Sequence, residues 1–200
     1  YVDEELRYLL DNADAEALVY HSSLGDRVAR VKDRLPGVKL WVEVDDGSPG
    51  QVPGSVPYET LIAAHDPMPR IAREESDIYM LYTGGTTGMP KGVMYQMGDI
   101  TRAFVSIGFP IIGRQPPAEA ADIPAIVSDA VAAGARIISL TGAPLMHGTG
   151  VWLGAMVPQL GGATVVTLQG RSLDPDEVLT TLQRERCTNL TIVGDAFAKP

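Results

Sequence analysis

Two hundred residues with 45% hydrophobic content suit one domain, or a large part of one, with an ordinary globular core. A formal charge of −9 and a pI near 4.7 run against nucleic-acid binding, which calls for a basic patch, yet leave nucleotide binding open because local donors and a divalent cation outweigh net charge. Cys187 is the single cysteine, which excludes an internal disulfide, and the opening Tyr1-Val2-Asp3-Glu4-Glu5-Leu6 has neither a basic nor an apolar leader region, so the expectation is a cytosolic (cytoplasmic) protein with a reduced thiol.

Along the chain helix and strand alternate, which predicts an α/β fold with a mainly parallel sheet and helices on its faces. Asp3 is placed to cap a helix that turns Leu6, Leu9 and Leu10 inward, followed by a strand over 17–21. A helix over 23–34 stops at Pro36-Gly37, and residues 39–44 supply the next strand. The Asp, Gly, Ser and Pro content of 45–57 predicts a loop, leading to a short helix over 58–64. Apolar and aromatic runs at Ile78-Tyr79-Met80-Leu81-Tyr82 and Gly92-Val93-Met94-Tyr95 read as two strands joined by a glycine-rich loop. A helix over 99–107 is expected to run out at Gly108-Phe109-Pro110 into a proline-rich connector through Arg114-Gln115-Pro116-Pro117. A helix over 123–133, a strand over 136–140, a helix over 148–160 and a strand over 163–168 follow. Asp174-Pro175-Asp176-Glu177 then opens a helix with a cap, a proline at N1 and a glutamate at N3, and 188–193 reads as a strand. His21 and His65 have no carboxylate or cysteine at ligand spacing and are expected at the surface; no metal cluster is read from these residues.

From Ile137 to Gly170 the chain carries no Asp, Glu, Lys or Arg. A membrane span does not explain this, because Gly142, Pro144, Gly148, Gly150, Gly154, Pro158, Gly161 and Gly162 interrupt every candidate for about 20 continuous apolar helical residues. The segment reads as protein interior. Within it Trp152, Met156 and Leu160 share one helix face, a spacing that ordinarily means core packing.

The loop is Thr83-Gly84-Gly85-Thr86-Thr87-Gly88-Met89-Pro90-Lys91-Gly92-Val93. Its glycines let a ligand approach backbone N–H groups, arrayed N–H groups make an anion-binding concavity, the threonines add hydroxyl donors and Lys91 adds a compact cation. Glycine and threonine also make plain surface turns. A P-loop of the Walker type is excluded, since Pro90 precedes Lys91 and Gly92 follows it.

With Tyr82 before it, the string resembles the signature loop of the adenylate-forming superfamily of acyl-CoA synthetases, luciferases and peptide-synthetase adenylation domains, departing at Gly84, where that family usually has serine. The resemblance implies that the loop grips the β and γ phosphates of ATP, with Thr86 and Thr87 on phosphate oxygens, Lys91 on the leaving pyrophosphate, and Thr83, Gly84, Gly85 and Gly88 in the cradle. Ala143-Pro144-Leu145-Met146-His147-Gly148-Thr149-Gly150 is similar to a second segment of the family, whose histidine stands near the acyl pocket and nucleotide at the start of a buried helix. This puts His147 on the substrate side and opens a place for Trp152 on an acyl tunnel wall; alone, such residues are more often satisfied locally or in the core. Asp195 reads as a helix cap ahead of a substrate contact.

The resemblance spans residues 1–200 and implies a partial N-terminal AMP-binding domain, with the Mg²⁺-holding glutamate, the ribose-binding aspartate and the C-terminal domain with its catalytic lysine beyond it. It further implies two half-reactions in the complete protein: a carboxylate attacks the α-phosphorus of MgATP to give acyl-adenylate and pyrophosphate, then the thiol of coenzyme A displaces AMP. Loop and Thr191-Ile192-Val193-Gly194-Asp195-Ala196-Phe197 look most like bacterial fatty-acyl and steroid side-chain CoA ligases, so the expected acid is fatty or steroid-like. A module loading a carrier-protein thiol and a non-catalytic nucleotide-binding scaffold are the alternatives.

Overall fold

The computed structural model describes residues 2–48, 52–84, 88–170 and 172–194. They form two compact units, Tyr1–Ala72 with Tyr82–Gly92 and Arg73–Leu81 with Val93–Pro200. Each unit carries its own parallel sheet and its own apolar core.

In the first unit, α1 (Asp3–Asn12) buries Leu9 and packs Leu6 and Leu10 on a core of Tyr20, Val28, Val31, Leu35 and Trp41. The cap position is Val2, not Asp3. The Asp3 carboxylate instead receives a two-pronged contact from Arg30 of α2 (Gly25–Lys32), Nε to Oδ2 at 2.6 Å and Nη2 to Oδ1 at 3.0 Å, and the guanidinium holds it below the usual carboxylate range. The helix expected over 23–34 is preceded by a 3₁₀ turn, Ser22–Leu24. Strands β1 (Ala17–His21) and β2 (Leu40–Val44) pair in parallel with Ala17 opposite Leu40. The expected loop over 45–57 ends in a strand, β3 (Val56–Pro57), which pairs with β2 ahead of α3 (Tyr58–Ala63). Two residues are too short to show a strand period, and Pro57, lacking an N–H, fits only at a sheet edge.

Glu43 is buried in β2, where an alternating pattern alone would not choose a carboxyl group. Its Oε2 accepts from Tyr20 Oη at 2.8 Å and from Val52 N–H at 3.1 Å; Tyr20 Oη in turn lies 2.7 Å from Ser55 Oγ, from which it accepts. Burial first, then the bond to Glu43, pushes the Tyr20 phenol up to about 12. Its folded value exceeds the ordinary one of about 10, so the neutral form stabilises the fold fully below pH ~10 and that contribution disappears as pH rises through about 12. Tyr20→Phe is expected to cost on the order of 1–3 kcal/mol at neutral pH, because Glu43 loses a buried donor, and to flatten the fall in unfolding midpoint between pH ~10 and ~12. Urea unfolding of both forms across that range checks it; an unchanged slope would refute it.

Strands β4 (Ile78–Thr83) and β5 (Lys91–Gln96) form a two-stranded sheet around the glycine-rich loop. The connection is shorter than the dozen or so residues a parallel crossover needs, so the pair is a hairpin.

The second unit continues with α4 (Met97–Ala103), which does not stop at Gly108 as its composition suggests. It passes through a π-wound segment, Phe104–Gly108, into α5 (Phe109–Ile111). The helix α6 (Ile123–Ala132) and strand β6 (Ile138–Thr141) follow. A second π-wound segment, Thr149–Met156, runs into α7 (Val157–Leu160), and β7 (Thr164–Thr167), α8 (Pro175–Glu185) and β8 (Asn189–Thr191) complete the unit. The sheet order is β7-β6-β8, all parallel.

Both π segments end just before a helical proline, Pro110 and Pro158. Proline supplies no N–H and crowds the carbonyl four residues back, and a wider turn relieves both. For Pro158 that carbonyl is Gly154, and the buried Ser139 hydroxyl donates to it at 3.1 Å. Gly108 lets the two helices touch, since a Cβ there would fall 2.7 Å from each Val157 methyl. As the spacing predicts, Trp152, Met156 and Leu160 all pack on one core, with Ile100, Phe104 and Val157.

The cap of α8 is also as predicted, with Asp174 Oδ1 accepting from Asp176 N–H at 3.0 Å. Glu177 does not close a capping box; its Oε1 accepts from Gln169 and Gly170 N–H at 2.8 and 3.2 Å, pinning the loop after β7. Beyond α8, Cys187 is half-buried, and burial pushes its thiol up, away from nucleophilic character. Among the described residues no helix is long and apolar enough to cross a membrane.

Candidate functional site

The hairpin places Thr83 at the end of β4 and Lys91 at the start of β5, so the ends of the loop face each other. The Thr83 hydroxyl reaches the Lys91 carbonyl at 3.5 Å. Thr83, Gly84, Gly88 and Lys91 are exposed while Pro90 is buried, which anchors the loop beside its cation. Gly88 has φ +132°, a backbone state that a side chain would strain, so glycine is required there for conformation. Gly85, Thr86 and Thr87 lie outside the described residues. Among the described residues no acidic side chain pairs with Lys91. An exposed ammonium with no described acidic partner, at one end of a glycine-rich loop, suits an anion.

In the second unit His147 closes the turn after β6, its N–H donating to Pro144 O at 3.0 Å and its carbonyl accepting from Val151 N–H at 2.9 Å. The backbone thus starts the π-wound helix and the imidazole is left exposed. This turn is held from both sides. Gly142 and Ala143 N–H both donate to Thr191 O at 2.9 Å, and Gly150 allows the helix against Pro144, whose carbonyl would be 2.2 Å from a Cβ at that position.

Trp152 lies one helical turn further on. Its ring meets Tyr95 edge-on at 5.2 Å and Phe104 at 6.2 Å, and its indole N–H is buried with no described partner. It therefore packs the hairpin strand β5 against the helix that begins at His147.

A cavity of about 360 Å³ opens at the carboxyl ends of β6 and β7, between Thr141, Pro144 and Leu145 on one side and Thr167, Leu168 and Leu173 on the other. In open parallel sheets this is the end at which ligands bind. No described charged side chain lines it, so it suits a neutral or apolar group. Neither His147 nor Trp152 belongs to its wall. Sequence reading misses the β7 side, where the Glu177 carboxyl reaches back to Gly170 from the following helix.

A family model, AMP-binding enzyme, matches residues 1–199. The chain belongs to that family. The AMP-binding relatives include the medium-chain acyl-CoA ligase Mig of Mycobacterium avium, 36% identical over 203 residues, covering 100% of this chain and 36% of that protein. A medium/long-chain-fatty-acid-CoA/3-oxocholest-4-en-26-oate-CoA ligase of Mycobacterium tuberculosis is 34% identical over 206 residues, with the same coverage. The chain thus spans about a third of the length of these curated relatives. Among solved structures, the anthranilate CoA ligase AuaEII in complex with anthranoyl-AMP superposes with a TM-score of 0.73 at 21% identity, over 95% of this chain and 33% of that one, a likeness of fold.

Proposed function

We propose that the complete protein is an ATP-dependent acyl-CoA synthetase, and that residues 1–200 are part of its N-terminal AMP-binding domain. The observation that carries this reading is the hairpin loop, with Gly88 at φ +132° and Thr83 and Lys91 at its mouth, in a chain whose relatives are named as fatty-acid and steroid-acid CoA ligases.

The carboxylate substrate is a fatty or steroid-like acid, consistent with relatives named for both. Its oxygen attacks the α-phosphorus of MgATP, pyrophosphate leaves, and coenzyme A then takes the acyl group with release of AMP. Such transfers depend on positioning and charge stabilisation more than on a protein nucleophile. Lys91 and Thr86 stabilise the charge that builds on the leaving pyrophosphate, and Thr83, Gly84, Gly85, Thr87 and Gly88 cradle the phosphates. His147 stands on the substrate side, with Trp152 behind it. Mg²⁺ would enter as MgATP and would offset the charge of the phosphates that the loop holds. The site of action is the cytoplasm, where ATP and coenzyme A are supplied.

Carboxylate-dependent ATP–pyrophosphate exchange in the complete protein tests this over a panel of fatty and steroid-like acids. Exchange with members of that panel is the expected result. ATP binding without exchange for any acid would leave a nucleotide-binding scaffold in place of the ligase.

A further inference from the structure

Gly98 is a glycine in the first turn of α4, at a φ that any residue can adopt, where alanine would favour the helix. Its backbone conformation gives no reason for glycine. The reason is Glu75: a Cβ on Gly98 would lie 2.8 Å from Glu75 Cβ, 3.0 Å from its Oε2 and 3.1 Å from its Cγ, so it meets both the root of that side chain and the carboxylate curled back over the glycine.

Around this contact the two roots of the hairpin are fastened together. Gly98 N–H donates to Glu75 O at 2.9 Å and Met97 N–H to Asp77 O at 2.8 Å, joining the residues just before β4 to those just after β5. Arg102, one turn along α4, closes the contact from outside, with Nη1 2.8 Å from Glu75 Oε2 and Nη2 2.7 Å from Asp99 Oδ1. Both ion pairs are exposed, and exposed pairs add little stability. What they do is hold Glu75 in one geometry over Gly98.

We propose that Glu75, Gly98 and Arg102 form a positioning clamp that sets the spacing of β4 and β5, and thereby holds the mouth of the phosphate loop at the width the ATP phosphates need. Thr83 ends β4 and Lys91 begins β5, so the two strands that the clamp joins are the ones that lead into the loop. The clamp is assigned a positioning role, without contact to the nucleotide. The inference rests on the phosphate-binding reading of the loop.

The test measures ATP affinity by equilibrium titration, and KM and kcat by pyrophosphate exchange, in the complete protein carrying Gly98→Ala, Arg102→Gln, Arg102→Lys or Lys91→Ala. Misplacement of positioning groups by about an ångström is costly, so Gly98→Ala is expected to weaken ATP binding about five- to tenfold, with the carboxylate KM and the thermal midpoint nearly unchanged. Arg102→Gln is expected to show a smaller loss of the same kind, partly restored in Arg102→Lys. Unchanged ATP affinity in Gly98→Ala and Arg102→Gln, with a clear loss in Lys91→Ala, overturns the clamp and leaves the phosphate loop standing. Equal losses for ATP and carboxylate, with a lowered thermal midpoint, also overturn it, since that is general loosening. Unchanged affinity in all variants, Lys91→Ala included, removes the phosphate-loop reading itself.

Discussion

Lys91→Ala in the complete protein is expected to raise the KM for ATP by at least about tenfold while the carboxylate KM stays nearly constant. A charge-assisted hydrogen bond contributes about 1.5–3 kcal/mol, which corresponds to roughly 10- to 100-fold in affinity. Lys91 is free to make such a bond: it begins β5 at the mouth of the loop, it is exposed, and among the described residues no carboxylate competes for it. Buried Pro90 fixes the backbone directly before it, so the ammonium is delivered from a rigid strand start. Lys91→Arg keeps the charge but replaces a compact ammonium with a wide planar fork, and is expected to recover only part of the loss. Pyrophosphate exchange against ATP concentration at saturating acid measures both variants. An ATP dependence identical to that of the unaltered protein would take Lys91 out of the site.

Gly150→Ala is the substitution expected to cost most in stability. The new methyl would stand 2.2 Å from Pro144 O, 2.8 Å from Pro144 C and 2.8 Å from Ala143 O, all backbone atoms that no rotamer change moves. Nor is the turn free to retreat, because Gly142 and Ala143 are bonded through their N–H groups to Thr191 O at 2.9 Å. Forcing a methyl into so tight a contact costs about 3 kcal/mol and displaces the turn that presents His147. Gly161→Ala is the control. Its methyl meets Ile112 Cδ1 at 2.3 Å, a contact almost as short but on a side-chain tip that swings away, and the expected cost is about 1 kcal/mol. Urea midpoints of the two variants decide the matter; if Gly161→Ala proved the more destabilising, the account of the His147 turn as a fixed platform would fail.

Much of the architecture is legible from local chemistry. The strand over 17–21 coincides with β1, Asp174 caps α8, and Trp152, Met156 and Leu160 share a core face, since each depends only on neighbours along the chain. The loop is legible for the same reason: glycines, hydroxyls and a lysine fall within one short stretch, and a string so restricted also carries the family. Where reading from sequence departs from the structure, a distant partner or an irregular helical turn had won. Asp3 pairs with Arg30 and gives up the cap, Glu177 holds Gly170 and gives up the capping box, and the helix after α4 runs through Gly108 because a π turn makes room for Pro110.

By itself, then, the sequence determined the alternation of helices and strands, the glycine- and threonine-rich loop between two strands, and the AMP-binding family, all written in short-range pattern. Tertiary structure alone decided that Glu43 would be buried beneath Tyr20 and Val52, that Ser139 would satisfy the Gly154 carbonyl ahead of Pro158, that Gly98 would make room for Glu75, and that a cavity would open between the ends of β6 and β7. Each of these joins groups far apart in the chain, and the free energy of a buried polar contact or a close backbone approach exists only once packing has brought its two halves together.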